Sequence, residues 1–211
     1  HHAWRRIALG MALQGIAVKG RMLDLAAGTL DFPIIGPKSL DWVAVDFSLP
    51  MIEMGIRKLR QSGLLGNVSV ALSDAHSLPF RDESFAMITV GFGIRNFSRQ
   101  PLAFSEISRV LKPSGRLVVL DIVSPQEPSL PGKLFTAAFR AFAPLLGVVF
   151  AGDRDAYTYL PESVAKVSVN SLSNLMQKAG IHLLHTRHFA FGSVAILVGE
   201  KLNADAIEGI E

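Results

Sequence analysis

Short apolar runs alternate along the chain with stretches whose apolar positions recur every three or four residues, the pattern of successive β–α–β units. Arg21-Met22-Leu23-Asp24-Leu25-Ala26 reads as a first buried strand followed by a glycine-containing turn. Trp42 to Asp46 reads as a second strand that ends in a carboxylate. Ser48 and Pro50 open a helix with Met51, Met54 and Leu59 on its expected apolar side, and the stretch Gly63 to Gly66 ends it. Val68 to Leu72 is a third strand leading to Asp74; Phe85 to Phe92, apolar nearly throughout, is a fourth with the character of a central parallel strand. A helix over about 101–111 stops at Lys112-Pro113-Ser114-Gly115, and Arg116 to Val123 is the fifth strand. A greasy segment at 130–151 and a polar stretch at 152–163 follow, then a helix near 170–179 stopped by Gly180. Leu183 to Ala190 and Ser193 to Val198, joined around Gly192, close the pattern as an antiparallel hairpin.

These elements predict an α/β fold: a Rossmann-like, doubly wound sheet of seven strands, mostly parallel, with an antiparallel C-terminal hairpin and helices on both faces. No internal repeat, low-complexity linker or boundary divides the sequence. Residues 1–211 are therefore expected to form one domain, with 130–165 as a helical insertion or lid on the substrate side. Ligands of such a sheet bind at the carboxyl ends of its strands, near the point where strand order reverses.

Composition narrows the chemistry. Of the 211 residues 49% are apolar and 18% charged, an apolar excess that suits a core, a greasy pocket or a membrane-facing surface. The absence of cysteine excludes disulfides, thiolate chemistry and cysteine-ligated zinc. A net charge of +3, with Lys and Arg scattered, argues against a nucleic-acid-binding face, which needs clustered charge. The most apolar stretch, Leu134 to Gly152, is interrupted by Arg140 and Pro144 and is too short to span a bilayer, so it reads as a buried or interfacial helix. The opening His1-His2-Ala3-Trp4-Arg5-Arg6 lacks the apolar run and cleavage site that export needs, and a cytoplasmic protein is the expectation.

Three positions carry the candidate chemistry. In Leu23-Asp24-Leu25-Ala26-Ala27-Gly28-Thr29 a small, flexible turn directly follows the first strand, and Gly28 permits close backbone approach to a nucleotide-like ligand. Asp46, at the end of the second strand, is placed to accept two hydrogen bonds from a ribose diol, and Asp74, after the third, to accept from an adenine amine. Ala75 and Leu78 are candidates to pack beside the base. Each carboxylate alone could be a turn or cap residue; three such sites after three successive strands point to a bound nucleotide. G-x-G-x-x-G is absent after the first strand, which disfavours a nicotinamide-dependent oxidoreductase.

The stretches LDLAAGT (23–29), VAVDFSLPMIEMG (43–55), SDAHSLPFRDESFAMITVGFGIRNF (73–97) and RVLKPSGRLVVLDI (109–122) resemble the class I methyltransferases of ubiquinone and menaquinone biosynthesis, and the resemblance runs from about Trp4 to Val198. Two features are narrower than the general methyltransferase pattern: Phe92-Gly93-Ile94-Arg95-Asn96, and the run from Gly152 to Ser163. The resemblance implies S-adenosylmethionine as cofactor and C-methylation of a polyprenylated quinol ring, with demethylmenaquinol preferred over a benzoquinol. It implies cofactor contacts at Asp24, Ala26, Gly28, Thr29 and Asp46, and further ones at Phe47, Met51, Asp74, Ala75 and Gly91. Within these, Gly28 and Thr29 face the methionine part, Asp46 the ribose and Asp74 the adenine, with Met51 against adenine or ribose.

For the transfer itself, Arg95 is the candidate to stabilise a developing phenolate and Asn96 to orient the ring oxygen or a water. A structural ion pair at the strand end is the alternative for Arg95. Tyr157 and Tyr159 either bond or wall the ring or belong to the core; Asp153 is either the base or a helix cap. His76 reads as a solvated loop residue near the site, and His182, His185 and His188 as sharing one face of a late strand, with no metal site expected. Phe135, Phe139 and Phe142 form an aromatic stripe that packs on the sheet or covers a prenyl tail, and the family implies peripheral membrane contact there. Homodimerisation is left open.

One departure stands out. The family reads Gly-Thr-Gly-Asp where this sequence has Gly28-Thr29-Leu30-Asp31, and the crossover from 30 to 42 is about one helical turn short. A β-carbon at position 30 is harmless at ordinary backbone angles and crowds a ligand at left-handed ones. Two alternatives therefore accompany the quinol reading: a methyltransferase acting on another apolar or aromatic small molecule, and a methyltransferase-fold scaffold without turnover.

Overall fold

The computed structural model describes residues 2–14, 20–124 and 167–203. Its element order is α1 (His2–Leu13), β1 (Arg21–Leu25), α2 (Asp31–Ile35), β2 (Asp41–Asp46), α3 (Leu49–Gln61), β3 (Val68–Leu72), β4 (Phe85–Gly91), α4 (Gln100–Val110), β5 (Leu111–Ile122), α5 (Val169–Lys178), β6 (Ile181–Phe189) and β7 (Val194–Lys201). Short 3₁₀ turns occupy Ile94–Asn96 and Ala190–Gly192.

All seven strands join one sheet in the order β3-β2-β1-β4-β5-β7-β6. The first five run parallel, and β7 lies antiparallel between β5 and β6. Strand order reverses between β1 and β4, so the ligand crevice is expected where Leu25 and Gly91 end these strands.

The unbroken apolar runs follow from burial on both faces. Leu23, Leu25, Val43, Ile88, Val90 and Val119 pack with Phe104 and Ile107 of α4 and Leu172 and Met176 of α5. The intervening Met22, Ala44, Met87, Val118 and Leu120 pack with Ala8, Leu9 and Ala12 of α1 and Ile52 and Leu59 of α3. Adjacent residues of a strand thus serve opposite layers, which leaves little room for polar side chains in the inner strands. Ser168 caps α5, its hydroxyl accepting from Ser171 N at 3.1 Å while Ser171 Oγ accepts from Ser168 N at 2.9 Å.

Four local expectations are corrected. Helix α3 buries Ile52, Gly55 and Leu59, whereas Met51 and Met54 are exposed, because the buried stripe lies one position further along. Ser48 stands at the N-cap, but its hydroxyl makes no cap bond. Strand β5 starts at Leu111, and the Pro113-Ser114-Gly115 turn is a bulge within it, so that Phe85 pairs Leu111 and Met87 pairs Arg116. On β6 a second bulge at Leu184 sets His182 opposite Glu200 and His185 opposite Val198, on one face, while His188 opposite Ala195 faces the other way. Among the described residues no helix is long and apolar enough to cross a membrane.

Candidate active site

A cavity of about 770 Å³ opens at the carboxyl ends of β1, β2 and β4, within the ~300–1,000 Å³ of small-ligand sites. Asp46 is its fixed point. The carboxylate is buried, with Oδ2 accepting from Gly28 N at 2.8 Å and Oδ1 from Ser48 N at 2.9 Å. These bonds tie the turn after β1 to the start of α3. A carboxylate oxygen has two lone pairs, so each retains acceptor capacity for a vicinal diol. Gly28 has φ of +53°, a left-handed conformation that favours glycine. Ala26, Gly28 and Thr29 lie on the same wall, and the Met51 side chain faces it from the first turns of α3.

On the far side Asp74 accepts at Oδ1 from the His76 backbone N–H at 2.9 Å and meets His76 Nδ1 at 2.6 Å. The Arg99 backbone N–H donates to His76 Nε2 at 3.2 Å. That arrangement fixes the tautomer: Nε2 is the acceptor, so Nδ1 carries the proton and donates to Asp74. The His76 N–H, and after it the ring bond, hold the Asp74 carboxyl below the usual carboxylate range. Asp74 is otherwise exposed and lines the cavity. Ala75 lines the cavity beside it, and Phe47, 76% exposed, stands at the rim in position to cover a base. Leu78 is instead buried in the core beneath, where its N–H donates to Glu106 at 2.8 Å.

The loop that carries Asp74 is stapled to α4 by Arg109, which donates to the carbonyls of Phe80 (2.8 Å) and Leu78 (3.0 Å) and pairs with Glu106 and Asp82. Hydrogen bonding to Glu106 and Asp82 raises the guanidinium's pKa further, and Arg109 in turn lowers that of Glu106. Arg109 opens the RVLKPSG stretch, and this staple gives the motif a physical role.

Gly91 and the turn after β4 complete the cavity, with Arg95 and Asn96 on its lining. Arg95 Nη1 donates to Asp121 Oδ1 at 2.8 Å, and Asp121 has no solvent exposure. Burial raises the Asp121 pKa, with Arg95 the main opposing influence. Arg95 thus forms the structural ion pair and also borders the cavity. Asp24 is not on the wall. It lies wholly buried under the loop, accepts from Thr89 Oγ1 at 2.7 Å, and its pKa is pushed up to about 7 by burial against the opposing pull of Thr89 and Arg5. Tyr157, Tyr159, Asp153 and the aromatic stripe at 135–142 lie outside the described residues.

Leu30 shows how the motif departure is absorbed. Its backbone is left-handed (φ 62°, ψ 35°), the conformation in which a β-carbon was expected to crowd the ligand. The side chain is instead wholly buried and turned onto α3, where a β-carbon on Gly55 would meet Leu30 Cγ at 2.4 Å. Leu30 is therefore not on the cavity wall, and the space is kept open by a glycine on the neighbouring helix. The short α2 is confirmed at five residues.

Sequence reasoning missed Arg5, Asp31 and His76's anchoring role. Arg5 reaches the cavity from α1, pairs with Asp31 at 3.4 Å and lies over the rings of Phe32 and Phe92 at 5.5 and 5.2 Å. Lys58 of α3 reaches Asp31 at 3.0 Å and Thr29 Oγ1 at 2.6 Å. The signal for α1 was Ala8, Leu9 and Ala12 at helical spacing, obscured because Arg5 occupies a buried position on the same stripe.

The chain is similar to known proteins in sequence and in fold. A demethylmenaquinone methyltransferase of Lactiplantibacillus plantarum is 34% identical over 206 residues, covering 95% of this chain and 86% of its own. A ubiquinone/menaquinone biosynthesis C-methyltransferase UbiE of Photorhabdus laumondii is 36% identical over 207 residues, covering 95% of this chain and 81% of its own. Among solved structures, the YcgJ protein of Bacillus subtilis shares the fold, with a TM-score of 0.70 at 19% identity over 97% of this chain and all of that one. The model of the ubiE/COQ5 methyltransferase family matches residues 1–201, from the helix that delivers Arg5 to the last strand of the sheet, and this chain belongs to that family of S-adenosylmethionine-dependent methyltransferases.

Proposed function

We propose that this protein methylates a ring carbon of a polyprenylated quinol, with demethylmenaquinol as its acceptor. The observation that carries the reading is that Arg95, anchored by buried Asp121, opens on the same cavity as Asp46, whose carboxylate two backbone N–H groups hold in place. The donor set fits S-adenosylmethionine: Asp46 for the ribose, Asp74 and Ala75 for the adenine, the Gly28–Thr29 turn and Gly91 for the methionine part. When bound, the cofactor supplies a methyl group on a positively charged sulfur.

The protein's own residues align the acceptor and manage its charge. A quinol ring becomes nucleophilic at carbon as its hydroxyl loses a proton, and Arg95 is placed to stabilise the resulting phenolate. Its pKa above about 12 makes it an electrostatic partner and not a base. Asn96 orients the ring oxygen or a water. His76 is a poor candidate for the proton-accepting role, since Nδ1 donates to Asp74 and Nε2 is engaged by Arg99 N–H. We assign that role to Asp153 and ring contact to Tyr157 on the sequence reading alone. Phe135, Phe139 and Phe142 are the proposed contacts of the prenyl tail, with peripheral membrane contact as the corresponding proposal for the protein.

Reaction with methyl-labelled S-adenosylmethionine tests this, using demethylmenaquinol in detergent micelles and mass spectrometry of the product. The expected product gains one methyl on ring carbon and keeps both hydroxyls. Arg95→Met is expected to bind S-adenosylhomocysteine normally and to lose turnover by about 100-fold, the scale of one preorganised electrostatic contact. Cofactor binding without methylation of any quinol would refute the substrate assignment, and methylation of another aromatic acceptor would replace it.

A further inference from the structure

Helix α1 contributes a charge to a cavity whose other walls come from the sheet and its loops. Arg5 sits on the buried face of that helix with Ala8, Leu9 and Ala12. Its guanidinium is held from two sides by the faces of Phe32 and Phe92 and from a third by Asp31. Such fixation is expensive in side-chain entropy and in desolvation of a cation. It sets the charge where β1 and β4 part: a β-carbon on Gly91 would lie 3.6 Å from Arg5 Nε. Among the described lining residues the cations are Arg5 and Arg95, each paired with a carboxylate, Arg5 with Asp31 beside β1 and Arg95 with Asp121 on the opposite layer of the sheet. Asp46 and Asp74 occupy the ribose and adenine positions, which leaves Arg5 beside the end of the cavity that takes the methionine part. The sulfonium and ammonium of that part repel a guanidinium; its α-carboxylate is the one anionic group the cofactor carries.

We propose that Arg5, delivered by the first helix, binds the α-carboxylate of S-adenosylmethionine and so couples docking of α1 to cofactor binding; this rests on the cavity being the cofactor site. Asp31 lines the same cavity; paired with both Arg5 and Lys58, it orients the guanidinium. Asp24 is consistent with the assignment, because burial raises its pKa to about 7 and so weakens its competition for the Arg5 charge relative to an ordinary carboxylate.

The test is calorimetric titration of the protein with S-adenosylhomocysteine and with its decarboxylated counterpart, which keeps the adenosine, sulfur and amine. The wild type is expected to prefer the carboxylate by about 10- to 100-fold, the worth of a charge-assisted hydrogen-bonded contact. In Arg5→Met that preference is expected to vanish while affinity for the decarboxylated ligand stays within about twofold, which also shows the site intact. Arg5→Lys, which retains charge but not the planar fork, is expected to keep part of the preference and decides the matter if Arg5→Met does not fold. Equal losses for both ligands, or an unchanged ratio in Arg5→Lys, would overturn the proposal and leave Arg5 a packing residue. Failure of the wild type to bind either ligand would overturn the cofactor site itself and the proposal with it.

Discussion

The contact between Leu30 and Gly55 makes a prediction with an unusual sign. Leu30→Gly restores the glycine found in the family and relieves a left-handed backbone worth about 1–2 kcal/mol. It also deletes a wholly buried side chain, which costs about 2–5 kcal/mol for a leucine truncated in a core. The net expectation is a loss of about 1–3 kcal/mol, or several degrees in melting temperature for a protein of this size. Gly55→Ala in the wild type sets a methyl 2.4 Å from Leu30 Cγ. Overpacking of that kind costs about 1–3 kcal/mol and outweighs the gain of about 1 kcal/mol from replacing a glycine inside a helix. In the Leu30→Gly background the obstruction is gone, leaving the Thr29 carbonyl carbon at 3.2 Å, a contact that a few tenths of an ångström relieve. Gly55→Ala should then turn from destabilising to neutral or stabilising. A double-mutant cycle by urea unfolding is expected to give a favourable coupling of about 1–3 kcal/mol, far above the ~0.5 kcal/mol of independent sites. Leu30→Gly should also leave S-adenosylhomocysteine affinity nearly unchanged, because Leu30 is not on the wall. Additive free energies would refute the size complementarity, and a tenfold gain in affinity for Leu30→Gly would show that the leucine does crowd the cofactor.

Other perturbations follow from the same geometry. Asp24 has a folded pKa of about 7 against 3.8 for the unconstrained carboxyl, so the folded state holds a proton that the unfolded state releases. Wild-type stability therefore carries no penalty below pH 4 and declines as pH rises to about 7. Asp24→Asn removes that dependence, and its stability relative to wild type should rise over this window by at most about 4 kcal/mol; equal urea midpoint differences at pH 4.5 and 7.5 would refute it. Arg109→Met removes the staple under the Asp74 loop and should cost about 2–3 kcal/mol, with amide exchange accelerated selectively over 73–82; unchanged protection there would refute the staple. Asp46→Ala should abolish saturable S-adenosylhomocysteine binding in calorimetry without unfolding the protein, and retained affinity would move the ribose elsewhere.

What could be read in the sequence was whatever both local pattern and burial express. The inner parallel strands were legible because strands buried on both faces read as near-continuous apolar runs, whereas the edge strand β3 is largely exposed, and Asp46 and Asp74 drew notice because such sites followed three successive strands. Less legible was anything that depends on two distant segments meeting. Whether Leu30 obstructs the site stayed open in the sequence because its partner, Gly55, lies on another element, and a single glycine inside a helical pattern announces nothing about what it accommodates. Arg5 was overlooked for the converse reason: a charge at a core position breaks the stripe by which a helix is recognised. Yet the two failures share one cause. Both residues are spent on shaping the crevice between β1 and β4, where local rules yield to the needs of a ligand. Ala26, Leu30 and Phe92, three of the seven non-glycine residues at positive φ among the described residues, lie around that same crevice. Part of the backbone strain thus falls where a charged cofactor must be approached closely, and the rest, at Glu83, Ser114, Ala190 and Phe191, lies in turns away from the cavity.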